Sequence, residues 1–225
     1  MTEAEWLASD TPDAPLRFLE ANGRERAFHL FSIACCRLMI EDMKVHQSVE
    51  RALDVLELHA DGRATREELT AAVANASFEP RGLYWPQACR EALQLGRPSG
   101  AAWYVSRGAA LGTPELLFRH VSAIGVYPAK ERVRTATLAT HAELLRDIFG
   151  NPFRPIAFAP EWRTDTVRAL AREMYESRDF GAMPILADAL QDAGCDNDDI
   201  LNHCRNPKGV HVRGCWVVDS VLEKE

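Results

Sequence analysis

The sequence predicts an all-α protein, an irregular bundle of about nine to eleven helices. Three observations carry that expectation. Apolar residues recur at helical spacing along most of the chain, no alternating run of useful strand length occurs, and caps and stops punctuate the chain at short intervals. The helices form one continuous domain or two subdomains, 1–125 and 126–225, with the division placed at the Gly125–Pro128 stop.

Taken in order, Thr2 caps a first short helix whose opening turn carries Glu3 and Glu5, and Pro12 and Pro15 permit a second. Arg24–Met43 is the strongest helix of the chain. Phe28, Phe31, Cys35, Leu38 and Met39 share one face, widened by Leu30, Ile33 and Ala34, as in a central helix packed on several sides. Gln47–Ala60 is amphipathic through Val49, Leu53 and Leu56, and Asp61-Gly62 ends it. Thr65 and Glu68 form a capping box for the next helix, so Asp61–Ala64 joins a helical hairpin.

Residues 78–100 are broken by Pro80, Pro86 and Pro98 and predict one short helix around Gln87–Leu95. Two helices then follow, Ala101–Leu111 and Pro114–Ile124, the second with Thr113 as cap. Ala129–Phe149 is long and is stopped by Gly150. The loop Asn151–Trp162, fixed by Pro152, Pro155 and Pro160, is apolar enough to lie against the helices. Helices over Thr164–Ser177, Pro184–Ala193, Asp198–Cys204 and Val212–Leu222 complete the chain.

Composition bounds the function. With 225 residues, 47% apolar and 26% charged, the chain can bury a sizeable core. A net charge of −7 gives no overall footprint for nucleic acid. The opening MTEAEWLASDTPDA lacks the basic and apolar parts of a signal peptide, and His29, Ser32 and Arg37 interrupt the longest apolar stretch. A cytoplasmic protein without membrane contact is expected, and its six cysteines are expected to be reduced thiols.

The strings LLRDIFGNPFRP, MPILADALQDAGC and HVRGCWVVD, with the opening MTEAEWL and the pair Cys35-Cys36, resemble a family of uncharacterised bacterial proteins. That resemblance spans most of the chain and supplies no catalytic residues. Ile185–Gly194 is also similar to the LADWLEERG core of a small helical domain found beside repeats in bacterial proteins, with Ala189 where that core has Trp. This second resemblance implies an interaction module.

Two functions follow from different residues. The first is a noncatalytic adaptor that binds another protein and uses no cofactor, with Tyr84, Trp85, Trp103, Phe153, Arg168 and Arg172 as partner-binding candidates. No phosphate loop, dinucleotide fingerprint, nucleophile elbow or His-Glu-x-x-His set accompanies them. The alternative is a zinc protein, structural or hydrolytic, drawing ligands from Cys195, His203, Cys204, His211 and Cys215. His211 and Cys215, four residues apart, would share one helical face. His203 and Cys204 point about 100° apart on a helix, so only one of them joins the same site. The remaining chemistry reads as structural: Cys35 and Cys36 as core thiols, the acidic run Asp196–Asp199 as helix capping, and His141-Ala142-Glu143 as coincidence without its Pro-Cys-x-x-Cys partner.

Overall fold

The computed structural model describes residues 1–22, 24–41, 47–76, 92, 98–117 and 127–224, and over them the protein is all-α. The helices are α1 (Glu3–Ala8), α2 (Asp13–Leu19), α3 (Glu25–Glu41), α4 (Gln47–Ala60), α5 (Arg66–Ala74), α6 (Pro98–Leu117), α7 (Tyr127–Phe149), α8 (Asp165–Ser177), α9 (Met183–Asp192), α10 (Asp198–Arg205) and α11 (Trp216–Leu222). Two 3₁₀ turns, Glu20–Asn22 and Pro160–Trp162, join them. Tyr84, Trp85 and the helix expected over Gln87–Leu95 lie outside the described residues, Ala92 apart. No helix among the described residues is long and apolar enough to cross a membrane.

The chain divides into two compact units, Met1–Ala142 and Glu143–Glu225. In the first, α3 is the central element. Phe28, Leu30, Phe31, Ile33, Cys35 and Cys36 are buried, against Val49, Ala52, Leu53 and Leu56 of α4 and the small residues Ala101, Ala102, Val105, Ala109 and Ala110 of α6. Arg37 ties α3 to α4 through Asp54 at 2.7 Å and Glu57 at 3.0 Å. Thr65 forms the full capping box expected of it, and Thr2, expected as a cap, forms one with Glu5 as well.

The expected break at Thr113-Pro114 does not occur, because α6 runs through it. Thr113 is not a cap. Its hydroxyl donates to the Ala109 carbonyl at 2.9 Å, a bond typical of a threonine inside a helix. The buried alanine strip packed on α3 outweighs the local stop signal.

The second unit begins within α7 and closes with α8 to α11. Its core combines Val167, Ala171 and Met174 with Leu186, Leu190, Ile200, Val217, Val218 and Val221. The proline-rich loop after α7 lies on this core through Ile156, Phe158 and Trp162, as its composition implies. Arg163 spans the unit by donating to the Ser220 carbonyl from Nε at 3.1 Å and Nη2 at 3.0 Å.

His141 is buried in the first unit, with the Ser106 hydroxyl 2.9 Å from its Nδ1 and Phe31 edge-on to its ring. Burial lowers its pKa from 6.5 to about 4, against the opposing pull of a hydrogen bond to the Ser106 backbone. Between about pH 4 and pH 6.5 the unfolded chain therefore binds a proton that the folded chain does not. Stability falls as pH falls through that window, by up to roughly 1.4 kcal/mol per pH unit. Denaturant unfolding across the window checks this: His141→Asn should remove that part of the slope, and an unchanged slope would place the acid sensitivity elsewhere.

Candidate metal centre

The second unit holds a constellation that no single stretch of sequence contains. Asp147, His203, His211 and Cys215 each present one ligand atom, and these four atoms lie within 4.8 Å of one another. Three chain segments supply them, and each is fixed by its own local chemistry.

Asp147 stands in the last turn of α7. Gly150 ends that helix in the left-handed region at φ 66, its N–H bonded to the Arg146 carbonyl at 3.0 Å. A Cβ at this glycine would meet the Trp216 indole at 3.2 Å, so glycine is required both by the turn and by the ring packed against it.

His203 comes from α10, which opens with the Asn197 side chain accepting from the Ile200 N–H at 3.1 Å. Its neighbour Cys204 points into the apolar core with Ile200 and Leu201.

His211 and Cys215 come from the connection between α10 and α11. Asn206 reverses the chain there: its carbonyl accepts from the Gly209 N–H at 3.1 Å and its Oδ1 from the Lys208 N–H at 3.1 Å. Gly214, at φ 99, makes the turn closed by the Cys215 N–H on the Val212 carbonyl at 2.9 Å.

The contacts converge. Asp147 Oδ1 lies 2.8 Å from His211 Nδ1 and 3.2 Å from His203 Nε2. That same His203 nitrogen is 3.2 Å from Cys215 Sγ. Asp147 Oδ2 is turned away from the cluster and accepts the Val212 N–H at 3.0 Å. The two imidazole rings meet nearly edge to face at 4.8 Å, and Trp216 lies 5.2 Å from the His203 ring. The side chains of Asp147 and His211 are 3% and 7% exposed, Cys215 is fully buried, and His203 at 19% forms the outer edge.

Burial raises the pKa of Asp147, but hydrogen bonds first from His203 and then from His211 outweigh it and hold the carboxylate below its ordinary value. The thiol of Cys215 is pushed well above its usual range, first by burial and then by the charge of Asp147, while the Val218 and Val217 backbone N–H groups pull the other way. Burial likewise raises Cys204 to about 12. His211 Nε2 is buried without a hydrogen-bond partner and faces Gly209.

This geometry suits a cation better than a proton relay. In a nucleophile–histidine–acid relay the acid and the nucleophile sit on opposite nitrogens of one ring. Here Asp147 and Cys215 address the same nitrogen, which carries a single proton or a single lone pair. In a tetrahedral zinc-type site with bonds of about 2.0 to 2.3 Å, neighbouring ligand atoms lie roughly 3.3 to 3.8 Å apart. The separations here, from 2.8 Å between Asp147 and His211 to no more than 4.8 Å for any pair, bracket that spacing. One carboxylate, one thiolate and two neutral imidazoles would balance a divalent cation with no net charge left in the buried site.

Of the five metal candidates read from the sequence, three meet here. Cys195 and Cys204 do not, and both line the apolar core. A second correction concerns His211 and Cys215. The helix expected from Val212 begins at Trp216, so these ligands stand on a turn and not on a helical face. Gly214, with positive φ, favours the turn over helix at this point. Asp147 was missed. Its one signal was an aspartate set among Leu144, Leu145, Ile148 and Phe149, all buried.

Of the partner-binding candidates among the described residues, Trp103 belongs to the first unit and Phe153, Arg168 and Arg172 to the second. The Trp103 indole donates to Asp13 at 2.9 Å beneath Arg107, and Phe153 is half-buried beside Asn151. Arg168 faces Glu223 at 3.7 Å and Arg172 is exposed. No family model, curated protein or solved structure matches the chain.

Gly209 sets the position of His211, since a Cβ there would stand 2.9 Å from His211 Nε2. Gly209→Ala should therefore displace the ring from Asp147, measured as a shift of the His211 side-chain NMR resonances. Unaltered resonances would show that the ring does not depend on this contact.

Proposed function

We propose that the second unit binds one divalent metal of the zinc type through Asp147, His203, His211 and Cys215, and that the metal is structural. The observation that carries this reading is the convergence of carboxylate, thiol and imidazole donors on a common point, with Asp147 and Cys215 sharing one nitrogen of His203. Asp147 Oδ2 is engaged by the Val212 N–H, which leaves Oδ1 as a single-point ligand. Two imidazoles, a thiolate and a monodentate carboxylate complete a tetrahedron for zinc or cobalt, and they suit the oxygen-seeking magnesium and calcium ions poorly.

Four protein ligands leave no position for a metal-bound water, which separates a structural zinc site from a hydrolytic one. The metal would fasten the end of α7, the helix α10 and the turn before α11, elements that local sequence alone does not bring together. A helical unit fastened in this way fits a noncatalytic module for binding another protein, the role to which the absence of enzyme motifs points.

The test is metal stoichiometry on the full chain, by elemental mass spectrometry after dialysis against zinc. One zinc per chain is expected. Asp147→Ala, His203→Ala, His211→Ala and Cys215→Ser should each abolish tight binding, whereas Cys195→Ser and Cys204→Ser should retain it. Cobalt in the site should show the intense visible bands of a tetrahedral ion and a sulfur charge-transfer band that Cys215→Ser removes. Free zinc at a hundred times Kd should raise the unfolding free energy by about 2.7 kcal/mol. Absence of binding, or retained binding in Cys215→Ser, would overturn the assignment.

A further inference from the structure

We propose that Arg213 makes the order of the C-terminal end of α8 conditional on the metal centre, an inference that rests on the metal reading above. The observation is an alternation within five residues. His211 and Cys215 turn to the ligand cluster, and Arg213, between them, turns to α8. Val212 is held as well, through its N–H to Asp147 Oδ2. The segment from His211 to Cys215 is thus fixed at three of its five residues by the ligand cluster alone.

Arg213 performs a definite task at its other end. An α-helix leaves its last carbonyls without partners inside the helix. In α8 the Met174 carbonyl accepts the N–H of Arg178, a residue in the left-handed region at φ 61. The next two carbonyls are served by Arg213. Its Nε and Nη2 donate to the Tyr175 carbonyl at 2.9 and 2.7 Å, and Nη2 reaches the Glu176 carbonyl at 3.4 Å. The guanidinium is buried, lies 4.7 Å from the centre of the Tyr175 ring, and places its charge at the negative end of the helix. Lys224 Nζ lies 4.5 Å from the same ring, so the buried tyrosine has two cations against it.

The two tasks cannot be separated geometrically. With a ligand on either side of it, Arg213 keeps its place only while the segment keeps its path. Release of the metal removes a restraint on that path, and the Tyr175 and Glu176 carbonyls then lose the Arg213 bonds. The last turn of α8 should fray, and order at that helix end becomes a readout of metal occupancy. Coupling of this kind is reciprocal, so loss of the cap must weaken metal binding by the same factor.

Hydrogen exchange by mass spectrometry on the full chain tests this, with zinc content measured in the same samples. After chelation, amides in the last turn of α8 should exchange about tenfold to a hundredfold faster, while those of α3 are unchanged. His211→Ala should show the fast rate whether or not zinc is added. Arg213→Lys keeps the charge but loses the fork that spans the two carbonyls. At saturating zinc it should bind one ion, show the fast rate at the end of α8, and have a weaker zinc affinity. One zinc bound with equal exchange before and after chelation would overturn the coupling and leave the metal reading intact. Wild-type behaviour of Arg213→Lys would do the same. If no zinc binds at all, both fall.

Discussion

The second unit is arranged around one buried charge. Asp147 is 3% exposed and sits in an apolar helix end, where an ionised carboxylate is far less stable than in water unless it is compensated. Every neighbour of that group reads as compensation. Two imidazoles face Oδ1 and a backbone N–H holds Oδ2, while the thiol of Cys215 competes for the His203 nitrogen. The surrounding backbone follows from this requirement. Gly150 ends α7 so that Trp216 can close over the helix end, Gly209 leaves room for the His211 ring, and Gly214 turns the chain so that Cys215 reaches the cluster.

Protons compensate such a charge only in part. The arrangement offers two acids to one nitrogen of His203. The divalent ion proposed above would remove the competition by taking all four donors at once and cancelling both negative charges. The same count explains why the thiol matters. Burial beside Asp147 keeps Cys215 protonated by itself, so it contributes as a thiolate only when a cation takes the place of that proton.

Much of the fold was legible because helix signals are local. The caps at Thr2 and Thr65, the stop at Gly150 and the wide apolar face of α3 appear in the structure as the sequence implies. Where the reading failed, a longer-range effect had won. Burial of the alanine face of α6 carried that helix past Thr113 and Pro114, and the turn at Gly214 displaced the start of the last helix from Val212 to Trp216. The candidate centre was half legible for the same reason. His203, His211 and Cys215 fall within a stretch of thirteen residues whose composition suggests ligands. Asp147 is 56 residues from His203 and belongs to a helix whose own pattern gives no reason to look for a partner. Cys195 and Cys204 resemble ligands by type and proximity, but the amphipathic period of α10 turns Cys204 inward to the core and the turn after α9, closed by the Cys195 N–H on the Leu190 carbonyl, places Cys195 there too.

That division between ligand and filler also separates the two ways this unit is held together. Helices α8 to α11 bury an apolar core of ordinary kind, which needs no cation. The connection from Asn206 to Cys215 contributes only its last residue, Cys215, to that core. Its residues are mostly exposed or half-buried, and it is held by single polar contacts to Asp147, to the Tyr175 and Glu176 carbonyls and within its own turns. Segments with few buried apolar contacts open most readily, whatever the stability of the domain around them. A metal is effective at such a place because it supplies several bonds at one point and asks for very little apolar surface. Of the four proposed ligands only Cys215 belongs to that apolar core, and Cys195 and Cys204, which belong to it as well, take no part in the proposed site.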